Sequence, residues 1–218
     1  MSFTYSGMKT AIQNYMDSSE TTFTNTLDTF IKQAENRIFN TIELNVFRKN
    51  VTGTAASGNP YLSSPSDFVS PLSLAVLNSD SEYTYLLLKH PSFMRNYIKT
   101  AATTGAPKYY GQFDEDTFIL APTPNANLTF ELHYLYQPAS LTAAGDSGTT
   151  WISDNTPDLL LYGSLVEASI FLKQDLNETN MFEQRFQENL VRVTNLMEGR
   201  STRDENRFDK QRGATATQ

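Results

Sequence analysis

TPDLLLYGSLVEASIFLKQDL, residues Thr156 to Leu176, opens as a helix should and is apolar on nearly every side. Thr156 can cap the first turn with its hydroxyl, Pro157 suits the first helical position, and Asp158 favours the positive end of the dipole. Leu161, Leu165, Ala168 and Leu172 make one apolar stripe, and Leu159, Tyr162, Val166 and Ile170 a second. A helix of that kind must be covered on both faces, by the rest of its chain or by neighbouring copies. It is not a membrane span, because Glu167, Lys173 and Asp175 interrupt a run already too short to cross.

Two flanking helices offer the cover. After a tight link at Leu176-Asn177-Glu178, Asn180 and Glu183 form a capping pair, and Phe182, Phe186, Leu190, Val193 and Met197 recur at helical spacing until Gly199 stops the run. Near the other end, Asn25 with Asp28 caps a helix over Thr26–Leu44 whose stripe is Leu27, Phe30, Ile31, Ala34, Ile38 and Ile42. A shorter helix over Met8–Met16, capped by Ser6, precedes it across the polar break SSETTFTN.

Between these helices the period changes to that of strands. Leu72, Leu74 and Val76 alternate; KYYGQF and TFILAP flank an acidic turn; and NLTFELHYLYQ, Asn127 to Gln137, places Phe130, Leu132, Tyr134 and Tyr136 on one face. A short helix over Ser92–Thr103, begun by Pro91, turns Phe93, Tyr97 and Ile98 inward and ends at Gly105. The fold class is therefore α+β. Helices from both chain ends form a bundle with an antiparallel β-rich insertion, and an extended C-terminal tail follows. The expected boundaries are 1–45, 46–155, 156–198 and 199–218.

The 218 residues suffice for a real core, and the absence of cysteine excludes disulfides, a thiol nucleophile and thiolate metal sites. A net charge of −7 argues against general nucleic-acid binding. Met1–Met16 lacks the basic-plus-apolar pattern of a secretion signal, so export by that route is not expected.

Chemistry-bearing residues are few. Glu131 and His133 share a strand face, which would suit an acid/base pair, but alternation alone places polar residues there. His90 sits at a strand-to-helix corner with no assigned role. Asp114, Glu115 and Asp116 lack calcium-loop spacing and read as a solvated turn. No phosphate loop, dinucleotide fingerprint or nucleophile elbow occurs. We expect no catalytic residue, no metal and no cofactor. Trp151 reads as cover for the N-terminal end of the helix that follows.

The tail reads differently. Residues 200–218 hold five basic side chains against three acidic ones, a net +2 that leaves −9 on the rest. Phe208 is their only large apolar residue, so the segment is expected to be disordered alone. Arg200, Arg203 and Arg207 share a side if the last helix continues. With Phe208, Lys210 and Arg212 they are the candidate partner-binding residues.

The order of parts resembles the head-to-tail adaptor (connector) proteins of tailed bacteriophages. The resemblance rests on TFTNTLDTFIKQAENRIF (Thr22–Phe39), YLSSPSDFVSPLSL (Tyr61–Leu74), GAPKYYGQFDEDTFILAPTPNANLTFELHYLYQP (Gly105–Pro138) and WISDNTPDLLLYGSLVEASIFL (Trp151–Leu172). It departs at Asp28, where family members often carry proline, and in a longer SSPSD loop. The resemblance implies a non-enzymatic structural protein of the virion neck, assembled in the host cytoplasm as a dodecameric ring with no membrane partner. It implies that the C-terminal segment docks on the portal protein and that the next tail or neck component binds below. Genome DNA would pass through the lumen without sequence-specific contacts. Two other classes stay open on the residues alone: a carbohydrate-binding or tail accessory module using exposed tyrosines and Trp151, and a hydrolase using Glu131 and His133.

Overall fold

The computed structural model describes residues 2–42, 46–77, 82–98, 100 and 103–208. In chain order, helices α1 (Tyr5–Met16), α2 (Thr21–Thr24) and α3 (Leu27–Thr41) come first. Strands β1 (Arg48–Ala55), β2 (Tyr61–Ser63), β3 (Phe68–Leu77), β4 (Tyr83–Tyr85) and β5 (Leu87–Leu88) follow, then helix α4 (Pro91–Tyr97). Strands β6 (Thr104–Gly105), β7 (Tyr109–Asp114), β8 (Thr117–Ala121), β9 (Thr123–Pro124) and β10 (Leu128–Tyr136) lead to a 3-10 turn at Leu141–Ala143. Helices α5 (Trp151–Asn155), α6 (Pro157–Phe171) and α7 (Leu176–Phe208) complete the chain. The fold is mixed α+β, and two compact units divide it: residues 1–45 with 139–218, and residues 46–138. Residues 139–155, expected in the insertion, group with the helices.

In the helical unit, α1, α3, α5 and α7 all pack on α6. Leu159, Leu160, Leu161, Leu165, Val166 and Ala168 are buried there, so cover for most of α6 comes from its own chain. Ser164 and Ser169 are buried too. Their hydroxyls donate to the Leu160 and Val166 carbonyls at 2.8 Å, which satisfies them inside the helix. Gly163 lets two partners approach: a Cβ there would lie 3.0 Å from Ala34 Cβ and 3.1 Å from a Phe186 ring carbon. The stripe through Ile170 does not hold to its end, since Ile170 is exposed.

The helix ends differ from those expected, for identifiable reasons. Thr4, not Ser6, caps α1 by accepting from the Gly7 amide. Phe23 in the polar break is fully buried, and its short helix α2 makes the entry to α3, so Asn25 closes α2 and does not cap the start of α3. Ile42 is already extended, which ends α3 early; the expected end at Leu44 lies outside the described residues. Thr156 donates its hydroxyl back to the Ile152 carbonyl and caps nothing, because α5 precedes it. The link before α7 is Leu172–Asp175, with Lys173 in the left-handed region and the Asp175 carboxylate accepting from the Asn177 amide. Asn180 lies inside the helix. Glu183 pairs with Arg37 on α3 instead of capping. Gly199 does not stop α7, which runs on to Phe208.

In the β unit two four-stranded sheets have the orders β1-β10-β3-β4 and β2-β8-β7-β5. Their shared core includes Leu74, Val76, Phe130, Leu132 and Tyr134 from the first and Leu62, Tyr110, Phe118 and Leu120 from the second. The unit is not wholly antiparallel: β5–β7 and β6–β9 pair in parallel. β10 behaves as its alternation predicts, with Phe130, Leu132 and Tyr134 buried. In β3 the inward parity fails at Leu72, which is exposed. His133 opposes Ser73 while Tyr134 opposes Pro71, so Leu72 is the extra residue of a bulge. α4 is about two turns long with only Met94 buried, and Phe93 and Tyr97 stack in the open against Tyr109.

Candidate interaction surfaces

Glu131, His90 and Asp114 each hold a structural hydrogen bond. Glu131 accepts from Asn50 Nδ2 at 2.7 Å and from the Tyr83 hydroxyl at 3.0 Å, which makes it a clasp across the outer face of the first sheet. His133 is in register with Asn50 and Ser73 on that face. His90 has a role the sequence did not suggest: it caps α4, its Nδ1 accepting from the Ser92 amide at 3.2 Å. Asp114 Oδ1 accepts from the Asp116 amide at 3.1 Å and so shapes the β7–β8 turn. Among the described residues, no three His, Asp or Glu side chains gather into a metal-holding group, and no helix is long and apolar enough to cross a membrane.

Two carboxylates of the helical unit have shifted pKa values for opposite reasons. Glu35 is buried on α3, and burial pushes its carboxyl above the usual range even though it accepts from the Leu141 amide at 2.9 Å. Glu183 is held low by the Arg37 guanidinium, which meets it in a two-bond fork and lies 4.3 Å from the centre of the Phe186 ring. A third group joins strands in the β unit. Asp67 accepts from Lys49 and, at 2.8 Å, from the Tyr134 hydroxyl. The Lys49 ammonium holds Asp67 low, while burial and Asp67 push the Tyr134 phenol up to about 12.

The long last helix supplies an extended surface. α7 carries Arg200, Arg203 and Arg207 at successive helical spacings on a 33-residue helix whose partner α6 has 15 residues. Phe208 is the last residue of α7; Lys210 and Arg212 lie outside the described residues. Trp151 opens α5, where Thr150 and Ser153 form a reciprocal capping box, so it starts a helix of its own.

The model of the SU10 adaptor protein family matches residues 3–213, nearly the whole chain. The chain belongs to that family. It is thus a phage adaptor of the head-to-tail class, a structural protein of the virion neck. No curated protein matches the chain. Several large apolar side chains, among them Tyr85, Leu87 and Leu176, are more than half exposed. The strands in Tyr83–Leu88 are legible in the sequence but their exposure is not, because exposure at a sheet edge depends on strand order and not on alternation. The strand signal is an unalternating Leu86-Leu87-Leu88 beside two tyrosines.

Proposed function

We propose that this SU10 adaptor family member forms a ring, dodecameric as in the adaptors it resembles, that joins the portal to the next tail or neck component and continues the DNA channel. In this reading the helices from both chain ends make the bundle of each ring subunit. Residues 199–218 are its docking tail, and Arg200, Arg203, Arg207, Phe208, Lys210 and Arg212 engage an acidic, partly apolar surface of the portal. Residues 46–138 are then the insertion, and residues 1–45 with 139–198 the bundle that carries the tail. The protein has no enzymatic role in this scheme.

The observation that carries the docking role is α7. A helix of 33 residues is about 50 Å long at 1.5 Å per residue, more than twice the length of its 15-residue partner. Its last part concentrates basic charge on a chain of net −7. Net −9 outside the tail suits a lumen that repels the DNA backbone.

Deletion of residues 203–218 tests the role directly. The truncated protein is expected to keep its helical circular dichroism and lose pull-down by purified portal. Arg203→Glu with Arg207→Glu should weaken docking by at least tenfold, and the wild-type affinity should fall as salt rises. Undiminished portal binding by the truncation refutes tail docking. Electron microscopy of the protein with and without portal reports the ring separately.

A further inference from the structure

The two lateral edges of the β unit differ in a way that makes them complementary. At one edge the chain crosses from the first sheet to the second through Tyr83–Leu88, that is, through edge strands β4 and β5. Tyr83, Tyr85, Leu87 and Leu88 are 50–67% exposed there, while Leu86 alone turns inward. At the opposite edge, β1 and β2 leave a cleft of about 270 Å³ lined chiefly by Val51, Leu62, Pro65, Phe130 and Leu132. Ser64 also lines it, and its hydroxyl is shut off from solvent with no hydrogen-bond partner among the described residues. A buried hydroxyl without a partner is uncommon in a finished surface and calls for a missing group.

Strand direction fits the same pairing. The first sheet has four strands, and every neighbouring pair in it is antiparallel. Its edge strands β1 and β4 therefore run in opposite directions. A second copy set beside the first in the same orientation would bring its β4 antiparallel to β1, continuing the alternation. Each edge strand has an unpaired row of backbone donors and acceptors to supply.

We infer that the Tyr83–Leu88 edge of one copy seats against the β1/β2 edge of the next, its apolar side chains filling the cleft and its backbone or a tyrosine reaching the Ser64 hydroxyl. The contact is heterologous: two different patches meet, each copy uses both, and repetition closes into a ring when the rotation allows. This rests on the ring reading and names the surfaces that would build it.

The chain has no cysteine, so single introduced thiols report on the contact without background. Full-length Val51→Cys and full-length Leu87→Cys, each at an exposed position, are oxidised separately, together, and as the double variant at high protein concentration. The expected result is little cross-linking of either single variant, a covalent dimer from the mixture, and a ladder of multimers from the double variant. A mixture that gives no more dimer than either variant alone overturns the inference. So does a dominant symmetric dimer from one variant. If those outcomes occur while the unmodified protein still forms rings on the portal, only the choice of surface has failed. If no rings form, the ring reading fails with it. Thermal melting of each variant checks that the fold is intact.

Discussion

Glu35 shows how a single side chain can work against its own burial. Its carboxylate accepts the Leu141 amide, tying α3 to the turn that follows the β unit, yet desolvation raises its pKa. A carboxyl whose pKa is raised on folding contributes stability that is fully present below its unfolded pKa and lost as pH rises through the folded value. Glu35→Gln keeps an acceptor and removes the charge. We expect it to match or exceed wild-type stability at pH 7 and to flatten the decline between mildly acidic and neutral pH, read by urea denaturation at several pH values. Glu35→Ala removes the acceptor and leaves a buried amide unpaired, at a cost of about 1–3 kcal/mol. Glu183 has the opposite sign. Its pKa is held low by Arg37, so its contribution is present above the usual carboxylate value and fades as pH falls through the lowered one. Both partners are about one-third exposed, so Arg37→Ala should cost only about 1 kcal/mol near neutrality, with the lost cover over Phe186 included, and less in acid. Neither role was legible from the sequence. Glu35 lies off the apolar stripe Leu27–Ile42 by spacing, and Glu183 reads as a cap, because the partners of both come from distant parts of the chain.

At the scale of elements, what periodicity specifies survived and what tertiary context specifies did not. The stripes of α3 and α7 and the face of β10 are buried much as spacing predicts, because each repeats over several turns or residues. Helix ends moved. A cap depends on which neighbouring group takes the hydroxyl, and Thr156 answers to Ile152 while Gly199 ends nothing. Leu72 defeated alternation because one bulged residue reverses every face before it. Gly163 is the element-level feature with the sharpest consequence. It sits mid-helix, where glycine costs about 1 kcal/mol relative to alanine, and that cost is accepted because α3 and α7 both close on it. Gly163→Val should therefore destabilise the protein by about 1–3 kcal/mol through overpacking against Ala34 and Phe186. Gly163→Ala should come out between that figure and a slight gain, as helix propensity offsets part of the crowding. Chemical denaturation of the two variants decides the matter; a stabilising valine would mean that the three helices separate easily at this point.

The whole molecule is two units, and the question at that scale is whether each is a folding unit in its own right. The β unit begins and ends at one place. The Tyr136 amide donates to the Phe47 carbonyl at 2.9 Å, and the two rings meet edge to face at 5.8 Å. A segment whose ends adjoin closes on itself without help from the rest of the chain. It also has its own core, shared by two sheets, with Leu74, Phe118, Leu120 and Phe130 almost wholly buried. Asp67 adds a polar tie between β1 and β10 through Lys49 and Tyr134. Residues 46–138 expressed alone should consequently fold, giving a strand-type circular dichroism spectrum, dispersed amide resonances and a cooperative melt. Asp67→Ala should lower the midpoint of that melt in the isolated segment and in the full chain alike, since its partners all lie within the unit. The converse experiment replaces residues 46–138 with a short glycine-serine linker, which the adjoining ends permit. The remaining chain should retain its helical signal, because α1, α3, α5 and α7 reach α6 without any residue of the insertion. A collapsed, non-cooperative 46–138 segment would show instead that the helical unit is needed to fold the sheets, and the adaptor would then have to be treated as one cooperative body in every variant described above.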